Sequence, residues 1–306
     1  MRILFAGTPA NAAKTLEALV HSGHTIAGVL TRLDAALGRD ATVSESPVGQ
    51  VAASLGIPVW KSNAVDEATL DWISKLEIDL GVIVAYGCIL KKDALEIPMR
   101  GWINLHYSLL PKYPGASPVQ QAILEGEKHT GVTVFALNAG IDSGPILSSQ
   151  QVEILPEENA GELMERLSEV GSNLLKNTLD GFDNYYSARQ AQNTENRGAV
   201  TTKITRAMAK LDFRVTPEQF VNKVRAMNPE PVAWFELDSL PVRVLESAVA
   251  GSTHLAPGVA RLIGTELVVG CMNGLVSLKT VQPAGKKAMP GADWFRGLHR
   301  DSLFLS

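Results

Sequence analysis

Six histidines occur in the chain, and His106 stands out by its setting. It follows the apolar run Trp102-Ile103-Asn104-Leu105, where residues two apart on a strand point to the same side. Asn104 and His106 therefore aim at one small group. The next segment, Ser108-Leu109-Leu110-Pro111-Lys112-Tyr113-Pro114-Gly115-Ala116-Ser117-Pro118, is stiffened by Pro111, Pro114 and Pro118 and can present its backbone groups rigidly to a planar ligand. A second loop, Asn138-Ala139-Gly140-Ile141-Asp142-Ser143-Gly144-Pro145, carries a carboxylate between two glycines. Taken singly, Asp142 fits an Asx turn equally well, and Asn104 and His106 fit a role in satisfying loop backbone.

Together, an amide, an imidazole and a carboxylate suit acyl transfer to an amine. The amide N–H stabilises the carbonyl oxygen as it becomes an oxyanion, an effect worth about 2.7 to 4 kcal/mol in other enzymes. The imidazole takes the amine's proton and returns it to the leaving nitrogen, worth about 10² to 10⁴ in rate. The carboxylate orients the imidazole or holds a water that relays protons. No Ser or Cys nucleophile is required, and no cluster at metal-ligand spacing accompanies His106, so no metal is expected.

The elements that position these residues follow from hydrophobic patterning. Residues 2–6, 25–31, 57–60, 80–85, 102–105 and 131–137 read as strands, several apolar without alternation, as strands buried on both faces are. Residues 11–21, 46–55, 65–76, 118–125 and 159–179 carry helical spacing between them. This alternation predicts an α/β fold: a Rossmann-like, open, mostly parallel sheet with helices on both faces. A polar stretch near 187–204 reads as a linker. Beyond it, a helix opening at Thr216-Pro217 precedes strands at 233–237, 242–247, 258–263, 266–270 and 274–280, which predict a smaller five-stranded β-barrel of the oligonucleotide-binding (OB) type. The expected domains are 1–186, the linker 187–204, and 205–306.

Composition excludes several classes. At 45% hydrophobic and 20% charged, the chain is neither disordered nor fibrous, and two distant cysteines, Cys88 and Cys271, offer no disulfide framework. The longest nearly apolar run, residues 80–90, is too short to cross a bilayer, and no export signal is read at the start, so a cytoplasmic protein without membrane contact is expected. The first turn, Phe5-Ala6-Gly7-Thr8-Pro9, has only the first glycine of a dinucleotide fingerprint, and no P-loop occurs. Residues 1–199 hold 15 Lys+Arg against 23 Asp+Glu, a net −8; residues 200–306 hold 13 against 9, a net +4. A basic C-terminal region is compatible with an acidic partner such as nucleic acid.

These motifs carry a resemblance. Asn104-Leu105-His106-Tyr107-Ser108-Leu109-Leu110-Pro111, Gly115-Ala116-Ser117-Pro118 and Gly140-Ile141-Asp142-Ser143-Gly144-Pro145 resemble the signature of the folate-dependent formyltransferases. The Phe-Ala-Gly-Thr-Pro turn, Gly38-Arg39, Asn228-Pro229-Glu230-Pro231 and Gln282-Pro283-Ala284-Gly285-Lys286-Lys287 narrow it to the methionyl-tRNA formyltransferases, over nearly the whole chain. The resemblance implies 10-formyltetrahydrofolate as co-substrate and methionyl-initiator tRNA as partner, with a monomer as the working unit. It places Asn104, His106 and Asp142 at the catalytic positions. Ser108, Leu109, Leu110 and Pro111, with Gly87, Cys88, Ile89 and Leu90, fall at folate-contacting positions. Arg39, Lys203, Arg206 and Lys210 are the candidates for tRNA contact. The chain departs from the family pattern at Asp40-Ala41, Pro114 and Asn138. Two other readings are a formyltransferase for a small amine, which the basic C-terminal region opposes, and a binding scaffold on an inactive fold, which needs none of the three polar residues.

Overall fold

Ile3, Leu4, Phe5 and Ala6 are fully buried, as an unalternating apolar run demands, and they form the middle of a sheet covered on both faces. The computed structural model of the protein describes residues 1–37, 42–193, 195, 198–251 and 255–305. In chain order, β1 (Arg2–Gly7), α1 (Ala10–Val20) and β2 (Thr25–Thr31) are followed by a short antiparallel pair, β3 (Ala35–Leu37) and β4 (Thr42–Ser44). Then come α2 (Pro47–Ser54), β5 (Val59–Lys61), α3 (Glu67–Lys75), β6 (Leu80–Val84), α4 (Lys92–Leu95) and β7 (Trp102–His106). They are succeeded by α5 (Pro118–Leu124), β8 (His129–Ala136), β9 (Ile146–Glu153), α6 (Ala160–Asp180) and α7 (Phe182–Ser187).

The seven-stranded sheet has the order β5-β2-β1-β6-β7-β8-β9. β1 pairs in parallel with β2 and β6, β2 with β5, and β6 with β7; β8 runs antiparallel to β7. The chain winds outward from β1 through β2 to β5, then returns to the other side at β6. Connections leaving β1 and β6 diverge, and at such a switch point the carboxyl ends of the strands leave a crevice for ligands. The Rossmann-like expectation holds, with boundaries displaced by one or two residues. The sequence reading missed β9: its residues Ser148, Ser149, Gln150 and Gln151 interrupt the apolar pattern of an edge strand. It also missed β3, β4, α4 and α7, short elements of three to six residues whose patterning does not set them apart.

The C-terminal elements are α8 (Pro217–Ala226), β10 (Ala233–Leu237), β11 (Leu240–Val249), β12 (Val259–Ile263), β13 (Glu266–Cys271), β14 (Gly274–Pro283), β15 (Met289–Pro290), α9 (Gly291–Arg296) and β16 (Leu303–Phe304). The five expected strands are all present, and the two-residue strands β15 and β16 extend the sheet. The order is β10-β11-β14-β13-β12-β16, antiparallel throughout, with β15 on β14. Irregular register between Val244 and Ser247 in β11 bends the ladder, so the sheet curls into a half-barrel. Phe213, Phe220, Phe235, Trp294 and Phe295 are buried together in its core.

Two compact units emerge, and the chain passes between them more than once. One comprises residues 1–115, 130–152 and 164–200; the other 116–129, 153–163 and 201–306. Two segments lying within the first 186 residues thus pack with the C-terminal sheet. Hydrogen bonds account for it. Thr201 accepts from the Ala116 and Ser117 N–H groups at 3.0 and 3.1 Å, and Arg225 donates to the carbonyls of Glu158 and Leu155 at 2.8 and 2.9 Å.

α8 starts where the sequence placed it. Thr216 Oγ1 accepts from Gln219 N while the Gln219 side chain accepts from Thr216 N, and Pro217 occupies the first helical position, where no N–H is needed. Thr216→Ala is expected to cost about 1 kcal/mol. It should appear as a lower denaturant midpoint with an unchanged m-value.

Candidate active site

β7 carries Asn104 and His106 on one side of the sheet, at the carboxyl end of a strand that pairs with β6 on one flank and β8 on the other. His106 is 6% exposed, with its ring edge-on to Phe135 at 6.5 Å. Its Nε2 lies 2.9 Å from the Tyr113 carbonyl oxygen. A carbonyl only accepts, so Nε2 carries the proton, and in the neutral ring Nδ1 presents a lone pair. That Nδ1 faces Asp142 Oδ2 at 3.7 Å. Two acceptors converging in this way define a spot suited to a donor with two hydrogens, such as an amine or a water.

The loop supplying the Tyr113 carbonyl is held by its own bonds. Thr133 Oγ1 donates to Ser108 O at 2.7 Å and accepts from Leu110 N at 3.2 Å, and Ser108 Oγ donates to Lys112 O at 2.6 Å. Gly115 N then donates to Asp142 Oδ2 at 2.7 Å, which ties the two loops together at the carboxylate. The Asp142 loop is tightened from within. Asn138 Oδ1 accepts from Gly140 N at 3.0 Å and from Ser143 Oγ at 2.9 Å, and Asp142 itself sits at φ 45°. Gly144 presses against β8 so closely that a Cβ there would lie 1.7 Å from the Ala136 carbonyl oxygen; only glycine fits.

Burial holds the His106 imidazole below its ordinary value, because the charged ring would lose its hydration; the Asp142 charge and the Tyr113 carbonyl act in the opposite sense. The ring is therefore neutral at pH 7 and able to take a proton. Asn104 Oδ1 is buried and has no hydrogen-bond partner among the described residues. Such a group is uncommon in a folded interior.

The turn after β6 is pinned from three neighbouring strand ends. Thr8 Oγ1 donates to Tyr86 O at 2.9 Å, Arg32 Nη1 to Gly87 O at 2.8 Å, and Cys88 Sγ to Asn63 O at 3.2 Å. Within it, Leu90 is buried and Ile89 is 82% exposed, an apolar side chain held out at the sheet edge. Ser108 and Leu110 are buried, and Leu109 and Pro111 are partly exposed, so Ser108 shapes its loop while Leu109 and Pro111 remain accessible.

Arg39 lies outside the described residues. Lys203, Arg206 and Lys210 are exposed in the second unit. Arg206 and Lys210 both stand over the Trp234 ring, at 5.4 and 5.6 Å, and Trp234 Nε1 donates to Arg206 O at 2.9 Å. Lys210 also pairs with Glu236 at 3.3 Å.

Sequence reasoning missed Gln192, whose Nε2 donates to the carbonyls of Asp142 at 3.0 Å and Gly144 at 2.7 Å. A single glutamine in a polar connector carries no periodic or motif signal. Among the described residues, no group of three or more His, Cys, Asp or Glu side chains is placed to hold a metal ion, and no helix is long and apolar enough to cross a membrane.

Comparison with known proteins decides the family. Residues 1–179 match the family described as formyl transferase, and residues 203–299 match the formyl transferase C-terminal domain. The chain is 43% identical over 299 residues to the methionyl-tRNA formyltransferase of Paenarthrobacter aurescens, covering 97% of each, and 41% identical to that of Acidothermus cellulolyticus, again covering 97% of each. The chain belongs to the methionyl-tRNA formyltransferase family. As a member of the methionyl-tRNA formyltransferases it is a formyl-transferring enzyme. Among solved structures it shares its fold with an N-formyltransferase from Helicobacter canadensis, in complex with folinic acid and dTDP-3-aminofucose (TM-score 0.71, 18% identity, covering 92% of this chain and 99% of that one). The sugar 3N-formyl transferase WlaRD gives a TM-score of 0.68 at 18% identity, covering 94% of this chain and 99% of that one.

The His106 imidazole is expected to titrate below 6.5 in the folded protein, and lower still in Asp142→Asn, which removes the charge that favours the imidazolium. Histidine NMR titration measures both. The unfolded chain binds the proton first, so this stability contribution is whole above pH 6.5 and is lost as pH falls through the folded value. In His106→Asn the acid side of the stability profile should be shallower.

Proposed function

We propose that the chain transfers the formyl group of 10-formyltetrahydrofolate to the α-amine of methionine esterified to initiator tRNA, giving N-formylmethionyl-tRNA for translation initiation. The observation that carries this reading is the His106 Nδ1 lone pair facing the Asp142 carboxylate at 3.7 Å, beside Asn104 on the same strand. An amine seated there donates to both acceptors and keeps its own lone pair for attack. The new N–C bond forms at the formyl carbon, and the Asn104 amide N–H stabilises the oxyanion. His106 Nδ1 takes the amine's proton, and the Asp142 charge favours the resulting imidazolium. Collapse of the oxyanion breaks the bond to N10, which receives the proton from His106 and leaves as tetrahydrofolate.

A folate co-substrate is supported by the family and by folate-bound relatives of the fold. In our reading its planar ring lies in the crevice between the turn Gly87, Cys88, Ile89 and Leu90 and the loop Ser108, Leu109, Leu110 and Pro111. No metal takes part. Functionally, residues 1–186 form the catalytic domain, 187–204 the linker and 205–306 the OB-like, tRNA-binding domain. Arg206 and Lys210, arranged on Trp234, and Lys203 nearby in sequence supply charge for the tRNA backbone, with Arg39 as a further candidate. The enzyme works as a monomer in the cytoplasm, where charged initiator tRNA is made.

The deciding experiment is formyl transfer from 10-formyltetrahydrofolate to charged initiator methionyl-tRNA, run beside a small amine acceptor. Turnover with the charged tRNA alone supports the reading; turnover with the small amine alone overturns it. His106→Ala and Asp142→Ala are each expected to lower kcat by about 10² to 10⁴-fold while circular dichroism stays that of the folded protein. Arg206→Ala and Lys210→Ala should weaken tRNA binding and flatten its salt dependence by about one unit of slope for each phosphate no longer neutralised. Folate affinity should be unchanged in both.

A further inference from the structure

Gln192 lies in a stretch that composition marks only as a connector, yet its side chain is committed to the active-site loop. Both Nε2 hydrogens are engaged, one by the Asp142 carbonyl at 3.0 Å and one by the Gly144 carbonyl at 2.7 Å. Two carbonyl partners require the donor end of the amide, so its orientation follows from chemistry. Oε1 is buried with no hydrogen-bond partner among the described residues, a cost no apolar side chain would carry. The connector is anchored beside this clamp: Ile146 N donates to Gln190 O at 2.7 Å, and Gln190 N to Ile146 O at 2.9 Å. Residues 142–146 are thus stitched to 190–192 by four hydrogen bonds, two from one side chain and two from backbone.

The clamp has a task. Asp142 sits at φ 45°, in the left-handed region that is uncommon for non-glycine residues and that aspartate enters more readily than most. Its carboxylate is useful only while Oδ2 remains 2.7 Å from Gly115 N and within 3.7 Å of His106 Nδ1. Gln192 grips the carbonyls on both sides of Ser143, those of Asp142 and Gly144, and opposes relaxation of the loop. We propose that Gln192 is a positioning residue that acts through Asp142, so that the connector between the two family-matched regions is part of the catalytic apparatus. The inference rests on the formyl-transfer reading above.

The test replaces Gln192 with Met, which keeps the length of the side chain and removes both donors. In the full-length enzyme, kcat for transfer to methionyl-initiator tRNA should fall by up to about 10²-fold, the scale that a misplacement of about 1 Å imposes, with KM for 10-formyltetrahydrofolate unchanged. The His106 imidazole titration should move down toward that of Asp142→Asn. The double variant Q192M/D142N should be no slower than D142N alone, since Gln192 has nothing left to position. Gln190→Ala, which keeps its backbone bonds, should retain wild-type kcat. Additive losses in the double variant, or a wild-type His106 titration in Q192M, would overturn the proposal. Should the wild-type enzyme fail to formylate methionyl-tRNA, the functional reading falls, and the titration of His106 in Q192M still decides the clamp.

Discussion

The site depends on a buried, neutral imidazole with one nitrogen already committed. Because Nε2–H of His106 is given to the Tyr113 carbonyl, Nδ1 is left as an acceptor pointed at Asp142 Oδ2. In water, neither arrangement would persist, since solvent would compete for both nitrogens. Burial at 6% exposure makes the tautomer and the facing carboxylate consequential, because a proton arriving between them finds two bases and little solvent.

Much of the first unit can be read as what keeps that geometry. The parallel strands β1, β6 and β7 end together at the switch point, which brings the turns at 7–9 and 85–90 beside the carboxyl end of β7. The loops themselves are rigid through short-range bonds: Thr133 fastens the start of the His106 loop, Gly115 fastens the carboxylate, and Gly144 lets the Asp142 loop lie flat on β8. Gln192 reaches in from a different part of the chain, so order in the connector and order at the carboxylate are one property.

The second unit is held together differently. It is built on stacked and edge-on rings, Phe213 against Phe220 and Phe235, and Phe235 against Trp294, within a curled antiparallel sheet. Segments 116–129 and 153–163 belong to it, although they flank strands of the first sheet in sequence. A cut at the connector therefore divides the sequence motifs cleanly and the packing poorly. On its surface, Arg206 and Lys210 stand over the Trp234 ring, which joins two cations to one flat apolar support.

What the sequence by itself determined is whatever local chemistry enforces. Unalternating apolar runs specify β1, β6 and β7; Thr216-Pro217 starts α8; and the i, i+2 spacing puts Asn104 and His106 on one face. Catalytic candidates were legible because rare residue types stood at strand ends and between glycines. Tertiary structure alone decided the rest. The polar edge strand β9 is a strand because β8 offers it unpaired backbone, not because its own pattern demands it. Asp142 moves from a plausible loop-shaping residue to a partner of His106 only when Gly115 and Gln192, 27 and 50 positions away in sequence, fix its backbone and its carboxylate. Hydrogen bonds of that separation leave no periodicity in the chain, which is why Gln192 was invisible until the loops were seen together.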